Sequence, residues 1–379
     1  MSKKVFDSGE LEPKIGVVVG TRPGIVMFAP IIHALRAKNV PHFIIHTGQH
    51  YSPNMDDVFF RDLNLPTPEY RLEGVAERLT HGAQTAAMLE GIEAILLKER
   101  PKLVLVGGDA NTNLAGGLAA RKLRIGVGHV EAGERSFDWR MPEEHNRRIL
   151  DHISDLLFAT DERSVAHLRK ESVQGAIHIT GNPIVDASLQ HLELARKKSD
   201  VLMRFGLTSQ PYALLTMHRE ENVDFPHLLR NALQGVSQAA VELDLPVLFL
   251  VHPRTKKRLK EFGLADWAEQ LPGLIMHEAV GYLDFLRLIA GARLVFTDSG
   301  GVQQEACIHH VPCVTLRENT EWVATLEYGA NRLAGTDPER IVQAASDATQ
   351  VERTWPVPFG DGRAAERIVD ISLRWMEEA

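Results

Sequence analysis

Short runs of apolar residues alternate along the chain with longer segments in which apolar positions recur at helical spacing. A short apolar run bounded by glycine or polar residues predicts a buried strand, whereas recurrence every three or four residues predicts an amphipathic helix. Helices are predicted from after residue 24 to residue 35, from Pro142 through Ile153, and over 184–198, 282–289 and 361–376. The runs that predict strands are 15–19, 42–46, 103–106, 156–159, 177–180, 212–217, 246–251, 273–276, 294–296 and 312–316, with a further strand ending near residues 128–133.

The repeated order of strand, helix and strand predicts the α/β class. Such a chain forms parallel, doubly wound sheets with right-handed crossovers. We predict two Rossmann-like domains that face each other across a central cleft. Residues 1–182 form the first domain, 183–360 form the second, and the final helix, 361–379, returns to the first. Ligands bind such sheets at the carboxyl ends of the strands, where glycine and polar residues follow here.

The composition excludes several classes of protein. With 379 residues, 24% of them charged and 44% hydrophobic, the chain fits a globular protein of two domains. A formal net charge of −8 argues against a general nucleic-acid binder. Cys307 and Cys313 make neither a disulfide framework nor a zinc motif, and no apolar run approaches the ~18 residues of a membrane span. Since the N-terminus also lacks a signal core, we expect a cytoplasmic protein without metal, membrane or nucleic-acid partners.

The segment 294–306 predicts an anion site. An apolar strand leads through Asp298 and Ser299 into Gly300 and Gly301, where a helix begins. Glycine leaves room for a phosphate to approach the backbone N–H groups of a helix N-terminus, and the helix dipole favours the negative charge. Glu305 follows one turn later, where its carboxylate can accept hydrogen bonds from a diol such as a ribose. The alternative is an ordinary strand-to-helix connection with a serine cap.

Four residues are candidates for proton transfer. Asp109, Glu131 and Glu143 each lie at a strand end or helix start on the expected ligand edge, and His218 lies at the matching edge of the second domain. Neighbouring acids push their pKa values apart, so that one donates a proton while another accepts. Taken singly, an aspartate at a strand end also suits a turn, and Pro-Glu-Glu also suits a first helical turn. Nucleophilic catalysis finds less support, because Ser299 lacks the Gly-x-Ser-x-Gly context.

Several short motifs occur in one order between about residues 15 and 335. Together they resemble the non-hydrolysing UDP-N-acetylglucosamine 2-epimerases. This resemblance implies a GT-B fold, a homodimer, a UDP-sugar as substrate, no cofactor, and reversible formation of UDP-N-acetylmannosamine. The motifs are Gly20-Thr-Arg-Pro23, Thr47-Gly-Gln-His50, Gly108-Asp109, His129-Val-Glu-Ala-Gly133, Pro142-Glu-Glu144, Gly181-Asn182, Met217-His-Arg219 with Glu221-Asn222, and Thr297-Asp-Ser-Gly-Gly301 with Glu305.

The resemblance also implies a role for each candidate. The C2 proton and UDP leave the sugar to give a 2-acetamidoglucal, and UDP then adds back while a proton arrives on the opposite face. Asp109 and Glu131 are the expected proton-transfer residues, with Glu143 supporting them and His218 assisting near the diphosphate. The implied substrate-binding residues are Arg22, His252, Ser299, Gly300 and Gly301 together with Glu305 at the ribose.

The chain departs from the family pattern at four positions. Gly24 and Met27 replace a glutamate and a lysine of the first loop, Ala110 replaces a threonine, and Glu134 replaces a leucine. Loss of a cation near a diphosphate is a reason to expect a changed substrate or rate. Three alternatives therefore stay open: an epimerase of a modified UDP-hexosamine, a glycosyltransferase of the same fold, and an impaired relative that only binds UDP-sugars.

Overall fold

The computed structural model describes residues 11–49 and 59–379. His50, the last residue of the Thr47 motif, and the first ten residues lie outside this part of the chain. The chain divides into two compact units. Unit 1 contains residues up to Leu189 together with Phe359–Ala379, and unit 2 contains Gln190–Pro358.

Strands and helices alternate through both units. The described strands are β1 (Glu12–Val19), β2 (His42–His46), β3 (Tyr70–Arg71), β4 (Pro101–Gly107), β5 (Gly126–Ala132), β6 (Leu156–Ala159), β7 (Ala176–Ile179), β8 (Ala213–Thr216), β9 (Val247–Val251), β10 (Leu274–Glu278), β11 (Leu294–Thr297), β12 (Cys313–Thr315) and β13 (Asn331–Leu333). The helices are α1 (Arg22–Ala37), α2 (His81–Glu99), α3 (Asn111–Lys122), α4 (Pro142–Ile153), α5 (Glu162–Lys170), α6 (Pro183–Lys198), α7 (Val201–Arg204), α8 (Glu220–Val223), α9 (Pro226–Glu242), α10 (Pro253–Glu261), α11 (Ala265–Glu269), α12 (Tyr282–Gly291), α13 (Gly300–Ile308), α14 (Val323–Glu327), α15 (Pro338–Thr349) and α16 (Ala364–Glu378).

Unit 1 is built on a seven-stranded parallel sheet. Its strand order is β3-β2-β1-β4-β5-β6-β7. The inner strand β1 is paired on both sides, since Val17 lies opposite Ile44 of β2 and Leu105 of β4. These residues are fully buried, as expected for a parallel sheet covered by helices on both faces. The order reverses between β1 and β4, which is where a doubly wound sheet opens a crevice at its carboxyl edge.

Unit 2 repeats this arrangement with six parallel strands. Their order is β10-β9-β8-β11-β12-β13, and the reversal falls between β8 and β11. Phe296 of β11 pairs with Leu215 of β8 and Val314 of β12, all three buried. Both units are thus Rossmann-like, and the predicted α/β fold class with two such units is confirmed.

The C-terminal helix packs on unit 1. The Nζ atom of Lys102 donates to the carbonyl oxygen of Met376 at 2.8 Å, and the Asp186 carboxylate accepts from the N–H of Ala365 at 2.9 Å. This helix begins at Ala364, three residues later than predicted, because Gly360 and Gly362 take positive φ angles of 121° and 77° that a helix does not tolerate. Among the described residues, no helix is both long and apolar enough to cross a membrane.

Candidate functional site

The carboxyl edge of unit 1 brings the loops after β1 and β2 together. Thr21 caps α1 by accepting a hydrogen bond from the N–H of Gly24 at 3.3 Å. A Cβ on Gly20 would lie 1.9 Å from the Thr47 hydroxyl oxygen, so only glycine permits this close approach. Arg22 begins α1, and its guanidinium carbon lies 5.8 Å from the ring centroid of Phe59.

Asp109 follows β4 and is held by helix α4. The Asp109 carboxylate forms an ion pair with Arg147. The side-chain amide of Asn146 donates to the backbone carbonyl of Asp109 at 2.8 Å. Both partners are more than thirty residues away in the sequence, and the motif at residue 108 gave no sign of them. The carboxylate is partly buried, so it stays within reach of a ligand.

Glu131 occupies a strained position at the end of β5. The pairing of β5 with β6 shifts register between Val130 and Ala132, and Glu131 takes a φ of 68°, which non-glycine residues rarely adopt. The bulge re-aims the side chain, and the Asn182 amide donates to its Oε1 at 2.7 Å. Burial raises the pKa of Glu131 to about 8, and the charges of Glu134 and Asp109 add to this effect. A carboxyl with a pKa near neutrality is suited to transferring a proton.

The two acids of the Pro-Glu-Glu turn behave differently. Glu144 is fully buried and accepts hydrogen bonds from the Ser136 N–H at 2.8 Å and from Arg148 at 3.1 Å. Glu143 is partly buried in the first turn of α4. Glu144 therefore anchors the loop between β5 and α4, and Glu143 is the member of the pair that a ligand can contact.

A buried ionic cluster supports the loop after β5. The Asp151 carboxylate lies 2.7 Å from Nδ1 of His129 and 2.7 Å from the Arg135 guanidinium, and it accepts from the Gly133 N–H at 3.2 Å. All three side chains are fully shielded from solvent. A satisfied buried cluster holds its backbone segments rigidly, so it fixes the segment that carries Glu131.

In unit 2, Asp298 clamps the loop that carries His218. Its fully buried carboxylate accepts from the backbone N–H groups of His218 at 3.0 Å and Arg219 at 2.9 Å, and from the Asn222 amide at 3.2 Å. The sequence suggested only a turn-forming role for Asp298. The His218 ring lies 5.1 Å from the His252 ring, centroid to centroid, and burial lowers the pKa of His218. A neutral imidazole can both donate and accept a hydrogen bond.

The predicted anion turn forms the start of α13. Ser299 is the N-cap residue, but its hydroxyl makes no capping hydrogen bond. A Cβ on Gly300 would lie 2.2 Å from a carboxylate oxygen of Glu321, whereas a Cβ on Gly301 would meet nothing within 4 Å. The N-terminus of α13 is therefore open at Gly301. Free N–H groups and a positive dipole end make such a terminus favourable for a phosphate.

Glu305 lies one turn into α13 and is 7% exposed. Burial raises its pKa to about 7, opposed by the hydrogen bond with Tyr282. Its carboxyl is therefore close to the midpoint of its titration at neutral pH. Contact with a hydrogen-bond donor would favour the ionised form.

Comparison with known proteins decides the family. The family profile described as UDP-N-acetylglucosamine 2-epimerase matches residues 33–373. A UDP-N-acetylglucosamine 2-epimerase of Methanocaldococcus jannaschii is 49% identical over 361 residues, with 94% of this chain and 98% of that protein covered. The chain belongs to the UDP-N-acetylglucosamine 2-epimerase family. It is therefore an epimerase, an enzyme of the isomerase class, and the resemblance inferred from the motifs is confirmed.

Two further relatives bear on the fold and the substrate. The crystal structure of the M. jannaschii enzyme in complex with UDP-GlcNAc and UDP superimposes with a TM-score of 0.85 at 50% identity, covering 94% of this chain and 99% of that one. A Pseudomonas aeruginosa UDP-2,3-diacetamido-2,3-dideoxy-D-glucuronate 2-epimerase is 37% identical over 365 residues, covering 94% of this chain and 98% of that protein. Relatives of this family thus act on more than one UDP-sugar.

Proposed function

We propose that this enzyme interconverts UDP-N-acetylglucosamine and UDP-N-acetylmannosamine by eliminating UDP and adding it back. One observation carries the proposal: Asp109 follows β4, Glu131 lies at the end of the neighbouring strand β5, and the pKa of Glu131 is raised to about 8. Two acid–base groups with different environments are what inversion at C2 requires, because one face must lose a proton and the other must gain one.

The proposed reaction has two steps, elimination and re-addition. A carboxylate removes the C2 proton, the C1–O bond breaks, and the electron pair leaves with UDP, so that a 2-acetamidoglucal remains. UDP then adds to C1 while a carboxyl group delivers a proton to the opposite face of C2. We assign these proton transfers to Asp109 and Glu131, with Glu143 supporting them. Arg147 holds the Asp109 carboxylate and Asn182 holds that of Glu131, which supports a fixed geometry for both.

The nucleotide is assigned to separate residues. We propose that Arg22 and the turn at Ser299, Gly300 and Gly301 bind the diphosphate. His218 and His252, whose rings lie side by side, assist there, since an imidazole N–H can donate to a leaving oxygen. Glu305 binds the ribose hydroxyls. The position of its buried carboxyl, one turn from the open N-terminus of α13, supports this assignment.

Three organisational features belong to the same proposal. We propose a folding domain over residues 1–182 that the C-terminal segment 361–379 rejoins, and a second domain over 183–360. We also propose that the enzyme works as a homodimer and that it is located in the cytoplasm. The two buried free cysteines support the location, because thiols stay reduced in that compartment. Light scattering on the purified protein tests the dimer.

The decisive experiment incubates the protein alone with UDP-N-acetylglucosamine in deuterium oxide and follows the products by NMR. We expect a second UDP-hexosamine with deuterium at C2, because a proton held by a carboxyl exchanges with solvent before it returns. A glycosyltransferase would leave the substrate unchanged until an acceptor is added, and an impaired relative would bind it without turnover. Epimerised product without deuterium at C2 would contradict the elimination mechanism.

A modified UDP-hexosamine is the second candidate substrate. Met27 is 8% exposed, and its sulfur lies 3.2 Å from the position that a Cβ on Gly107 would occupy. An apolar, adaptable side chain thus packs beneath the turn that carries Asp109. The P. aeruginosa relative, which acts on a 2,3-diacetamido sugar, supports this alternative. Parallel incubations with that sugar nucleotide measure which substrate has the higher kcat/KM.

A further inference from the structure

A second acidic side chain lies beside Glu131 in unit 1. Glu134 follows Glu131 by three residues, and the backbone between them is tightly constrained. Gly133 takes a φ of 86°, and a Cβ there would lie 2.4 Å from the carbonyl oxygen of Ser164. This contact presses the chain against α5 and directs the Glu134 carboxyl toward the end of β6. The side chain is partly buried there.

Two hydroxyl groups support the carboxyl of Glu134. Among the described residues, its Oε1 accepts from Thr160 Oγ1 at 2.5 Å and from Ser164 Oγ at 3.2 Å, and it forms no ion pair with arginine or lysine. Ser164 has one hydroxyl proton, and its oxygen also lies 3.0 Å from the carboxylate of Asp161. A carboxylate with so few donors is poorly stabilised away from water, so the neutral acid is favoured. Burial accordingly raises the pKa of Glu134.

The charges around the two acids come from several elements. Asp109 from the loop after β4 and Arg147 from α4 act on Glu131, and Asn182 from the segment after β7 donates to it. Asp161 at the start of α5 and the same Arg147 act on Glu134. Four acids, Asp109, Glu131, Glu134 and Glu144, thus lie near one arginine. Where two carboxyl groups lie close together, the loss of the first proton opposes the loss of the second.

We propose that Glu134 is a positioning residue whose loss and gain of a proton are coupled to those of Glu131. This coupling sets the pH range in which epimerisation proceeds. The proposal rests on the assignment of Glu131 to proton transfer made above. Glu134 does not contact the sugar in this role. Its negative charge, when present, keeps the Glu131 carboxyl protonated to higher pH than burial alone would.

The test replaces the acid by its neutral isostere in the full-length enzyme. Glu134→Gln keeps the size and the oxygen that accepts from Thr160, and Glu134→Leu provides a second, apolar variant should the first fold poorly. The infrared band of the protonated Glu131 carboxyl, assigned by its disappearance in Glu131→Gln, is then titrated in each protein. We expect its midpoint to move toward lower pH by about one unit or more. The matched control is Glu162→Gln, the same change at an exposed position of α5.

The pH dependence of kcat is measured on the same variants. A lower infrared midpoint in the Glu134 variants, with none in the control, supports the proposal. An unchanged midpoint in Glu134→Gln and Glu134→Leu overturns it, whatever the activity. A shifted midpoint with an unchanged pH profile of kcat supports the coupling and overturns the assignment of Glu131 to the reaction. The two failures are therefore distinguishable.

Discussion

Replacement of Glu305 by glutamine tests the nucleotide site through both stability and binding. The pKa of this buried carboxyl is raised from 4.5 to about 7, which corresponds to roughly 3 kcal/mol at 1.36 kcal/mol per unit. The folded state keeps its proton at pH values where the unfolded chain has lost it. The free energy of unfolding therefore falls as the pH rises from about 4.5 to about 7. The glutamine of Glu305→Gln has no proton to lose. Between pH 5 and pH 8 we therefore expect the free energy of unfolding of this variant to rise, relative to that of the wild type, by up to that amount.

The same substitution should weaken UDP binding. Ribose hydroxyls that donate to the carboxylate favour its ionised form, so binding near pH 7 should release up to about half a proton from Glu305. The glutamine variant should release none from this position. It should also lose about 1 kcal/mol or more of binding free energy, because a neutral acceptor replaces a charged one. This loss corresponds to a Kd raised about fivefold or more.

Two measurements follow these changes. Calorimetric titration with UDP in buffers of different ionisation enthalpy gives the number of protons released, and urea unfolding at pH 5 and pH 8 gives the stability difference. Glu242→Gln, the same change at an exposed position at the end of α9, is the control. If Glu305→Gln releases as many protons as the wild type and binds UDP with the same affinity, Glu305 does not contact the ribose and the assignment is wrong.

Two further predictions concern Gly133, whose φ is positive, and the pair Gly24 and Met27, which depart from the family pattern. Gly133→Ala should lower the free energy of unfolding by about 2 kcal/mol or more, measured by urea titration, because an alanine at this φ is strained and its Cβ would overlap the Ser164 carbonyl. Gly206 has a φ of 67° and nothing lies near the position of a Cβ there, so Gly206→Ala is the control for backbone strain alone. Equal losses of unfolding free energy in the two variants would contradict the overlap with Ser164. Met27→Lys combined with Gly24→Glu should change kcat for UDP-N-acetylglucosamine several-fold, because the double variant adds a cation near the loop assigned to the diphosphate. If the double variant folds and shows wild-type kinetics, this loop does not control the departure of UDP.

Local patterns predicted the elements that carry the site. The strands His42–His46 and Leu156–Ala159 and the helix Pro142–Ile153 begin and end close to the predicted positions. Their limits are set by chemistry that lies in the segment itself, namely an apolar run between polar residues or a proline followed by acids. The helix α2, by contrast, was not predicted. Its buried residues are Met88, Ile92 and Leu96, but further alanine, leucine and isoleucine residues lie on its other faces, so the apolar positions do not form a clear helical pattern.

The partners of the site residues depend on long-range packing and were not predictable. Asp109 meets Arg147 across 38 positions, and Glu131 meets Asn182 across 51. A single sequence places each residue at a strand end or helix start, but contact between such ends is determined by the strand order. The sheet order β1-β4-β5-β6-β7 brings these loops to one edge, and no local pattern contains that order.

Asp298 shows why local chemistry alone misassigns some residues. An aspartate before Ser-Gly-Gly suits a turn, yet its carboxylate reaches across to the loop after β8 and accepts from two of its N–H groups. The strands β8 and β11 are adjacent at the point where the sheet order reverses, so their carboxyl ends diverge and leave N–H groups without strand partners. A buried carboxylate satisfies those N–H groups and presents His218 at the opening. Asp298 is therefore required because the sheet reverses there, and its loss should displace His218 before it disturbs the helix that follows.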